Sequence, residues 1–150
     1  MTMNSEALSD LTAEPVLRAV DRCVEICLDR HDGCSRAAED VSETELKQLL
    51  TDFAEERRQQ AQAFLFITEP LGRRFQSGIR MRRSGPTVRD DRGVLNRCIV
   101  GDEASRVELQ AVFGWAPLIA MPMEVRALML STYCGTLRLL LELRRRLAGF

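Results

Sequence analysis

The sequence has 150 residues, of which 45% are hydrophobic, 29% charged and 5% aromatic, with a formal net charge of −1. This length favours one domain with a buried core, and the scarcity of aromatic residues favours helix-on-helix packing over sheets. A charge near zero excludes a general attraction to nucleic acid or membranes. The five cysteines lack the close spacing of a disulfide framework, and the polar N-terminus lacks the apolar stretch of a signal peptide. We therefore expect a cytoplasmic protein with free thiols.

The N-terminal part of the chain predicts two helices joined by a short link. Residues 1–13 are interpreted as a flexible arm that precedes the folded domain at 14–150. Apolar residues at helical spacing predict a first helix that ends near Val41. Ser42 is expected to cap the second helix, with Glu45 three residues later completing a capping box. Because the link is short, these helices are expected to be antiparallel neighbours.

The C-terminal part predicts two more helices after a long crossover at 70–91. A third helix is expected from about Asp91 to Phe113, and Pro122 can open a fourth that closes near Arg146. The crossover is rich in arginine, which is typical of a solvated loop. Alternatively, the same arginines form a patch for phosphate groups or an acidic protein face. The residues concerned are Arg73, Arg74, Arg80, Arg82 and Arg83.

Four short motifs, in order along the chain, resemble an uncharacterised bacterial family of ferritin-like domains that is distantly related to rubrerythrins and bacterioferritins. The resemblance implies an all-α, ferritin-like antiparallel four-helix bundle with a long crossover between helices two and three. In this family the glycine of the first motif would allow close helix approach. The motifs are Asp29, Gly33 and Ala37-Ala38-Glu39; Glu45-Leu46-Lys47 with Arg57-Arg58; Gly101-Asp102-Glu103; and Met121-Pro122-Met123 with Val125-Arg126.

A ferritin-like di-iron site takes a Glu from each of two helices and a Glu-x-x-His pair from each of the other two. This chain has one histidine and no Glu-x-x-His, so a complete di-iron centre is excluded. The polar residues that remain inward predict a core ion pair in which Asp102 meets Arg57 or Arg106. The alternative is a partial carboxylate site for one weakly held cation, formed by Glu39, Glu56 and Asp102.

Soft metal ligands share one stripe of the first predicted helix. Cys23, Cys27, His31 and Cys34 are three or four residues apart, which places their side chains on one face, as Cu(I) or Zn(II) would require. Cys98 and Cys134 on helices three and four are further candidates for the same layer. The competing interpretation is that these are small core residues, since buried free cysteine is common.

No enzyme signature is found around these residues. The sequence predicts a bundle with a degenerate di-metal site that acts as a structural or protein-interaction module and forms homo-oligomers, with no cofactor beyond a single metal ion. The apolar residues Phe113, Trp115, Leu118 and Ile119 are candidates for the contact between copies, or else they seal the end of the bundle. The alternative function is metal binding, at the partial carboxylate site or at the Cys/His site of helix one.

Overall fold

The computed structural model describes residues 14–69, 90–116 and 118–150. Within these residues the chain is all helical and contains no strand. It has four long helices, α1 (Glu14–Asp40), α2 (Thr44–Thr68), α3 (Asp91–Trp115) and α4 (Met123–Ala148), and a short 3-10 turn at Leu118–Ala120. The all-α class and the four predicted helices are confirmed. The predicted N-terminal arm and the five crossover arginines lie outside the described residues.

Two neighbouring carboxylates, Asp90 and Asp91, fix the start of α3: the first caps the helix, and the second binds the segment that precedes α2. Asp90 caps α3, since its side chain accepts a hydrogen bond from the backbone N–H of Gly93 at 2.9 Å. The capping box predicted at Ser42 is wrong, because Glu43 precedes α2 and its side chain makes no capping bond. Ser42 instead donates from its backbone N–H and its hydroxyl to Asp91, at 2.8 and 3.1 Å. The link between α1 and α2 is thereby tied to the first turn of α3.

Each helix packs mainly on two neighbours: α1 on α2 and α3, and α4 on α3 and α2. The buried apolar side chains fall into two clusters, one towards each end of the bundle. One cluster contains Val20, Phe64, Leu109 and Met129 with their neighbours. The other contains Leu46, Leu50, Leu95 and Leu139 with theirs. Burying side chains of this size contributes about 1.5–3 kcal/mol each, so packing, more than helix propensity, holds the four helices together.

None of the helices in the described residues combines the length and the apolarity that a bilayer span requires.

Candidate functional site

A layer of buried polar side chains lies among the four helices, and every helix contributes to it. Burial of so many polar groups is costly unless they are hydrogen bonded or paired. The members of the layer are Arg30, Arg57, Gln60, Asp102, Ser105, Thr132 and Thr136.

Arg30 of α1 and Asp102 of α3 form an ion pair in this layer. The Nε atom of Arg30 donates to Oδ1 of Asp102 at 2.7 Å, and the two residues are 6% and 0% exposed. Burial by itself lowers the pKa of Arg30, but Asp102 together with the neighbouring Cys34 and Cys98 outweighs it, and the pKa lies above its usual value. The prediction that Asp102 pairs with Arg57 or Arg106 is therefore wrong. Arg106 is half-exposed and binds Glu103 at the surface.

Two glycines make room for the guanidinium of Arg30. A Cβ atom on Gly33 would lie 2.6 Å from Nη1 of Arg30, and one on Gly101 would come closer still to the same atom. Gly33 is on α1 and Gly101 on α3, so both helices leave out a side chain where the arginine lies. The close approach expected at Gly33 is thus an approach of the Arg30 side chain.

Arg57 of α2 is 1% exposed and is held without a carboxylate partner among the described residues. Its Nη1 atom donates to Oε1 of Gln60 at 2.8 Å and to the backbone carbonyl of Thr132 on α4 at 3.0 Å. Its Nε and Nη2 atoms have no hydrogen-bond partner in the described parts of the chain. Gly135 leaves the space beside this guanidinium, since a Cβ there would lie 3.3 Å from it. The layer therefore contains two buried cations.

Two thiols lie beside the ion pair. The Sγ atoms of Cys34 and Cys98 and a carboxylate oxygen of Asp102 all lie within 4.8 Å of one another. The Cys98 thiol is 3.5 Å from Oδ2 of Asp102, and Nη2 of Arg30 is 3.6 Å from Sγ of Cys98. A hydrogen bond from Cys98 holds the pKa of Cys34 below its usual value, while the same bond and burial raise that of Cys98.

The three residues of the predicted carboxylate site lie in different surroundings. Glu39 is exposed, Glu56 binds Arg138 of α4, and Asp102 lies in the buried layer with Arg30. In the described parts of the chain, the structure groups Asp102 with two thiols and not with these carboxylates.

The residues of the predicted Cys/His stripe do not converge on one site. Cys23 and Cys27 belong to one apolar cluster, and burial raises their pKa values to about 12 and about 11. His31 is half-buried and donates from Nδ1 to the carbonyl of Ala54 at 2.9 Å, beside a shallow surface groove. Only Cys34 of this set belongs to a group of metal-ligand atoms among the described residues.

The two further candidate thiols, Cys98 and Cys134, lie in different surroundings. Cys98 does meet Cys34 across the α1–α3 contact, as expected for one layer. Cys134 is exposed on the outer face of α4 and does not reach the layer.

The apolar residues near the connection between α3 and α4 are partly used within the chain. Phe113 packs edge-to-face on Tyr133, with ring centroids 5.4 Å apart, and the guanidinium of Arg18 lies 5.6 Å from the ring centre of Trp115. Ile119 is 97% exposed.

A second apolar surface covers the outer faces of α3 and α4 and has no counterpart on α1 and α2. Between Met123 and Leu141 on α4 the exposed apolar residues are Met123, Ala127, Leu130, Cys134, Leu137 and Leu141. On α3 they include Val100, Ala104, Val107 and Ala111. Among the exposed residues of α2, only Phe66 is apolar, and those of α1 are charged apart from Pro15.

No protein-family model matches this chain, and no curated protein or solved structure matches it.

Proposed function

We propose that this chain is a ferritin-like four-helix bundle that has lost the di-metal centre of its relatives and acts as a homo-oligomeric interaction module. The observation that carries the proposal is the heptad-spaced apolar stripe on the outer face of α4. Two further observations support the fold and the loss of the metal centre.

The directions of the helices support a ferritin-like topology. Arg22, early in α1, pairs with Glu108, late in α3, and Arg97, early in α3, pairs with Asp40 at the end of α1. These two helices are therefore antiparallel. α4 is antiparallel to α3, because Glu103 and Phe113 of α3 meet Arg144 and Tyr133 of α4, in reverse order along the chain. It is also antiparallel to α2, because Arg146, late in α4, pairs with Glu45, early in α2.

It follows that α2 and α3, which are consecutive in the chain, point the same way. A connection between parallel helices has to return along the length of the bundle, which is the long crossover of ferritin-like folds. The 21 residues from Glu69 to Arg89, counted on the sequence, are enough chain for this return, because an extended chain spans up to about 3.3 Å per residue. The helix directions and the length of the connection thus agree with the family resemblance.

The buried cations support the loss of the di-metal centre. Ferritin-like bundles bind two metal ions between the four helices with inward carboxylates and histidines. In this chain the corresponding depth holds the guanidinium groups of Arg30 and Arg57. These two buried guanidinium groups fill space that a pair of metal ions would need between the helices, and one oxygen of Asp102, Oδ1, is bound to Arg30.

The stripe on α4 has the spacing of a coiled-coil seam. Its six residues follow one another at intervals of four, three, four, three and four from Met123 to Leu141, which is the heptad pattern that packs one helix against another. The opposite face of α4, with Val125, Thr132 and Leu139, is buried in the bundle itself. The helix therefore presents one apolar face to its own core and a second to the solvent.

A second copy of the chain fits this face when the two α4 helices run antiparallel. In that register Ala127 lies opposite the partner's Leu137, so a small side chain meets a large one, as close packing requires. The same register places Leu130 opposite the partner's Cys134. Glu124, which flanks the seam, then lies opposite the partner's Arg138, so the charges at the edge are complementary.

The size of the face suits a dimer. The stripe from Met123 to Leu141 is about 27 Å long at 1.5 Å per residue. Together with the adjacent stripe of α3 it is about 20 Å wide, because each helix has a diameter of about 10 Å. A face on the order of 500 Å², enlarged by its polar rim, approaches the roughly 800 Å² that each partner buries in a stable interface.

The first test is the solution mass, measured by light scattering during size exclusion. We expect a dimer for the wild type and a monomer for the double variant Leu130→Glu, Leu137→Glu, because each copy would bury two unpaired glutamates against small or apolar side chains of the partner. Phe66→Glu, on the outer face of α2, and Ile119→Glu, at the end of the bundle, are matched controls and should remain dimeric. A monomeric wild type, or an Ile119→Glu variant that alone dissociates, would contradict the α4 interface.

The second test is the direction of the helices. Leu130→Cys should form a disulfide with the partner's Cys134 on mild oxidation, because these positions face each other in the antiparallel register. The wild type should not crosslink. A wild-type dimer joined through Cys134 to the partner's Cys134 would indicate parallel packing instead.

A further inference from the structure

The group of Cys34, Cys98 and Asp102 plays no part in the proposed association. It lies in the interior, where the two thiols are 0% and 4% exposed and the carboxylate is 0% exposed. Cys98 and Asp102 are four residues apart on α3 and so share one face of that helix, and Cys34 reaches them from α1. Two soft donors and one hard donor thus converge from two helices.

The spacing of these donors fits a tetrahedral ion. Zinc binds thiolate sulfur at about 2.3 Å and carboxylate oxygen at about 2.0 Å. At a tetrahedral angle these bond lengths place sulfur and oxygen about 3.5 Å apart and two sulfurs about 3.8 Å apart. The observed distance from Sγ of Cys98 to Oδ2 of Asp102 is 3.5 Å, and all three ligand atoms lie within 4.8 Å of one another.

We propose that Cys34, Cys98 and Asp102 bind one divalent, thiophilic cation of the zinc class, with Arg30 as the outer partner of the carboxylate. Binding forms two metal–sulfur bonds and one metal–oxygen bond, and the two thiol protons leave to solvent. Two thiolates and one carboxylate balance the divalent ion together with the positive charge of Arg30, so the group is neutral as a unit. No oxidant or reductant is involved.

Arg30 orients the carboxylate for this role. Its Nε atom binds Oδ1 of Asp102 at 2.7 Å, which leaves Oδ2, the oxygen nearer to Cys98, for the cation. Outer hydrogen bonds of this kind fix the ligand and tune the affinity of many metal sites. The Arg30–Asp102 ion pair thus becomes part of a site for one metal ion, in contrast to the two-ion centre of ferritin-like bundles.

The donor set selects among metals. Thiolates disfavour magnesium and calcium, which prefer oxygen ligands, and a carboxylate beside two thiolates suits zinc better than Cu(I). Three protein ligands leave a fourth position for water.

The test is a titration of the reduced full-length protein with Co²⁺ as a spectroscopic substitute for zinc. Wild-type protein should bind one equivalent, with thiolate-to-cobalt charge-transfer absorption and the visible bands of a tetrahedral ion, and Zn²⁺ should displace it. Cys34→Ala and Cys98→Ala should each weaken binding by more than the roughly 10–100-fold that loss of an outer partner costs. Circular dichroism of each variant checks that it is folded.

Matched controls separate this group from the other thiols. Cys23→Ala changes a buried thiol on the same helix and Cys134→Ala an exposed one, and both should keep the wild-type spectrum and affinity. The proposal is overturned if wild-type protein gives no thiolate–cobalt absorption. It is equally overturned if Cys23→Ala abolishes binding while Cys34→Ala and Cys98→Ala do not. Either result leaves the solution mass, and so the association proposal, unaffected.

Discussion

Arg30 and Arg57 both bury a guanidinium in the centre of the bundle, but their surroundings differ. Arg30 meets a carboxylate at 2.7 Å, whereas in the described residues Arg57 is held by an amide oxygen and a backbone carbonyl. Removing the partner of a buried charge costs much more than removing the partner of an exposed one, since the remaining charge cannot be solvated. Among the charged residues of the layer, Asp102 is therefore the one whose replacement is expected to destabilise the fold most.

Asp102→Asn is expected to lower the free energy of unfolding by about 3–5 kcal/mol, because Arg30 would stay buried without its counter-charge. Asp40→Asn is the matched control, since Asp40 and Arg97 also join α1 to α3 but have side chains 37% and 39% exposed. Loss of that pair is expected to cost about 0–1 kcal/mol. Urea unfolding followed by circular dichroism measures both. Equal costs would show that the Arg30–Asp102 pair is solvated.

At the scale of the helix, α1 and α3 approach each other around a side chain of α1. Gly33 and Gly101 flank the guanidinium of Arg30 from the two helices. A glycine inside a helix costs about 1 kcal/mol relative to alanine, so each of these positions gives up helix stability to admit the arginine.

Gly101→Ala is expected to lower the free energy of unfolding by about 1–3 kcal/mol, because the new Cβ would push the Arg30 guanidinium away from Asp102. Gly114→Ala, also on α3, is the control, because a Cβ there has no neighbour within 4 Å. It should leave stability unchanged or raise it by up to about 1 kcal/mol. Thermal or urea unfolding measures the change in stability of the two variants. If Gly114→Ala also destabilised the protein, the loss would come from changes in α3 that are unrelated to Arg30.

At the scale of the molecule, α4 connects the interior to the proposed dimer. One of its faces fills the bundle, and the other carries the heptad stripe from Met123 to Leu141. Association that buries this second face stabilises the folded chain by mass action, since only the folded state presents a complete stripe.

The midpoint of thermal unfolding should therefore rise with protein concentration for the wild type. For the variant with glutamate at Leu130 and Leu137 it should be independent of concentration, because that variant has no partner to lose on unfolding. Differential scanning calorimetry over a wide concentration range measures this. A wild-type midpoint that does not move with concentration would argue against association through α4.

Helical spacing in the sequence was sufficient to predict the four helices and the inward position of Cys34, Cys98 and Asp102. The same rule could have found Arg30, which lies three residues after Cys27 and four before Cys34 on the same stripe. It was missed because an arginine among acidic residues is ordinarily a surface residue. The heptad stripe on α4 can also be found in the sequence. Periodicity alone, however, does not indicate which of the two apolar faces of α4 packs inside the bundle and which is exposed.

The sequence by itself therefore determined which segments are helices, because the 3.6-residue period is a local property of the chain. Only the tertiary structure decided that Asp102 binds Arg30 and not Arg57 or Arg106, and that Cys34 meets Cys98 while Cys23 and Cys27 lie elsewhere. Contacts between helices depend on how far each helix is shifted along its neighbour and how it is rotated. Those two quantities are set by the packing of all four helices together.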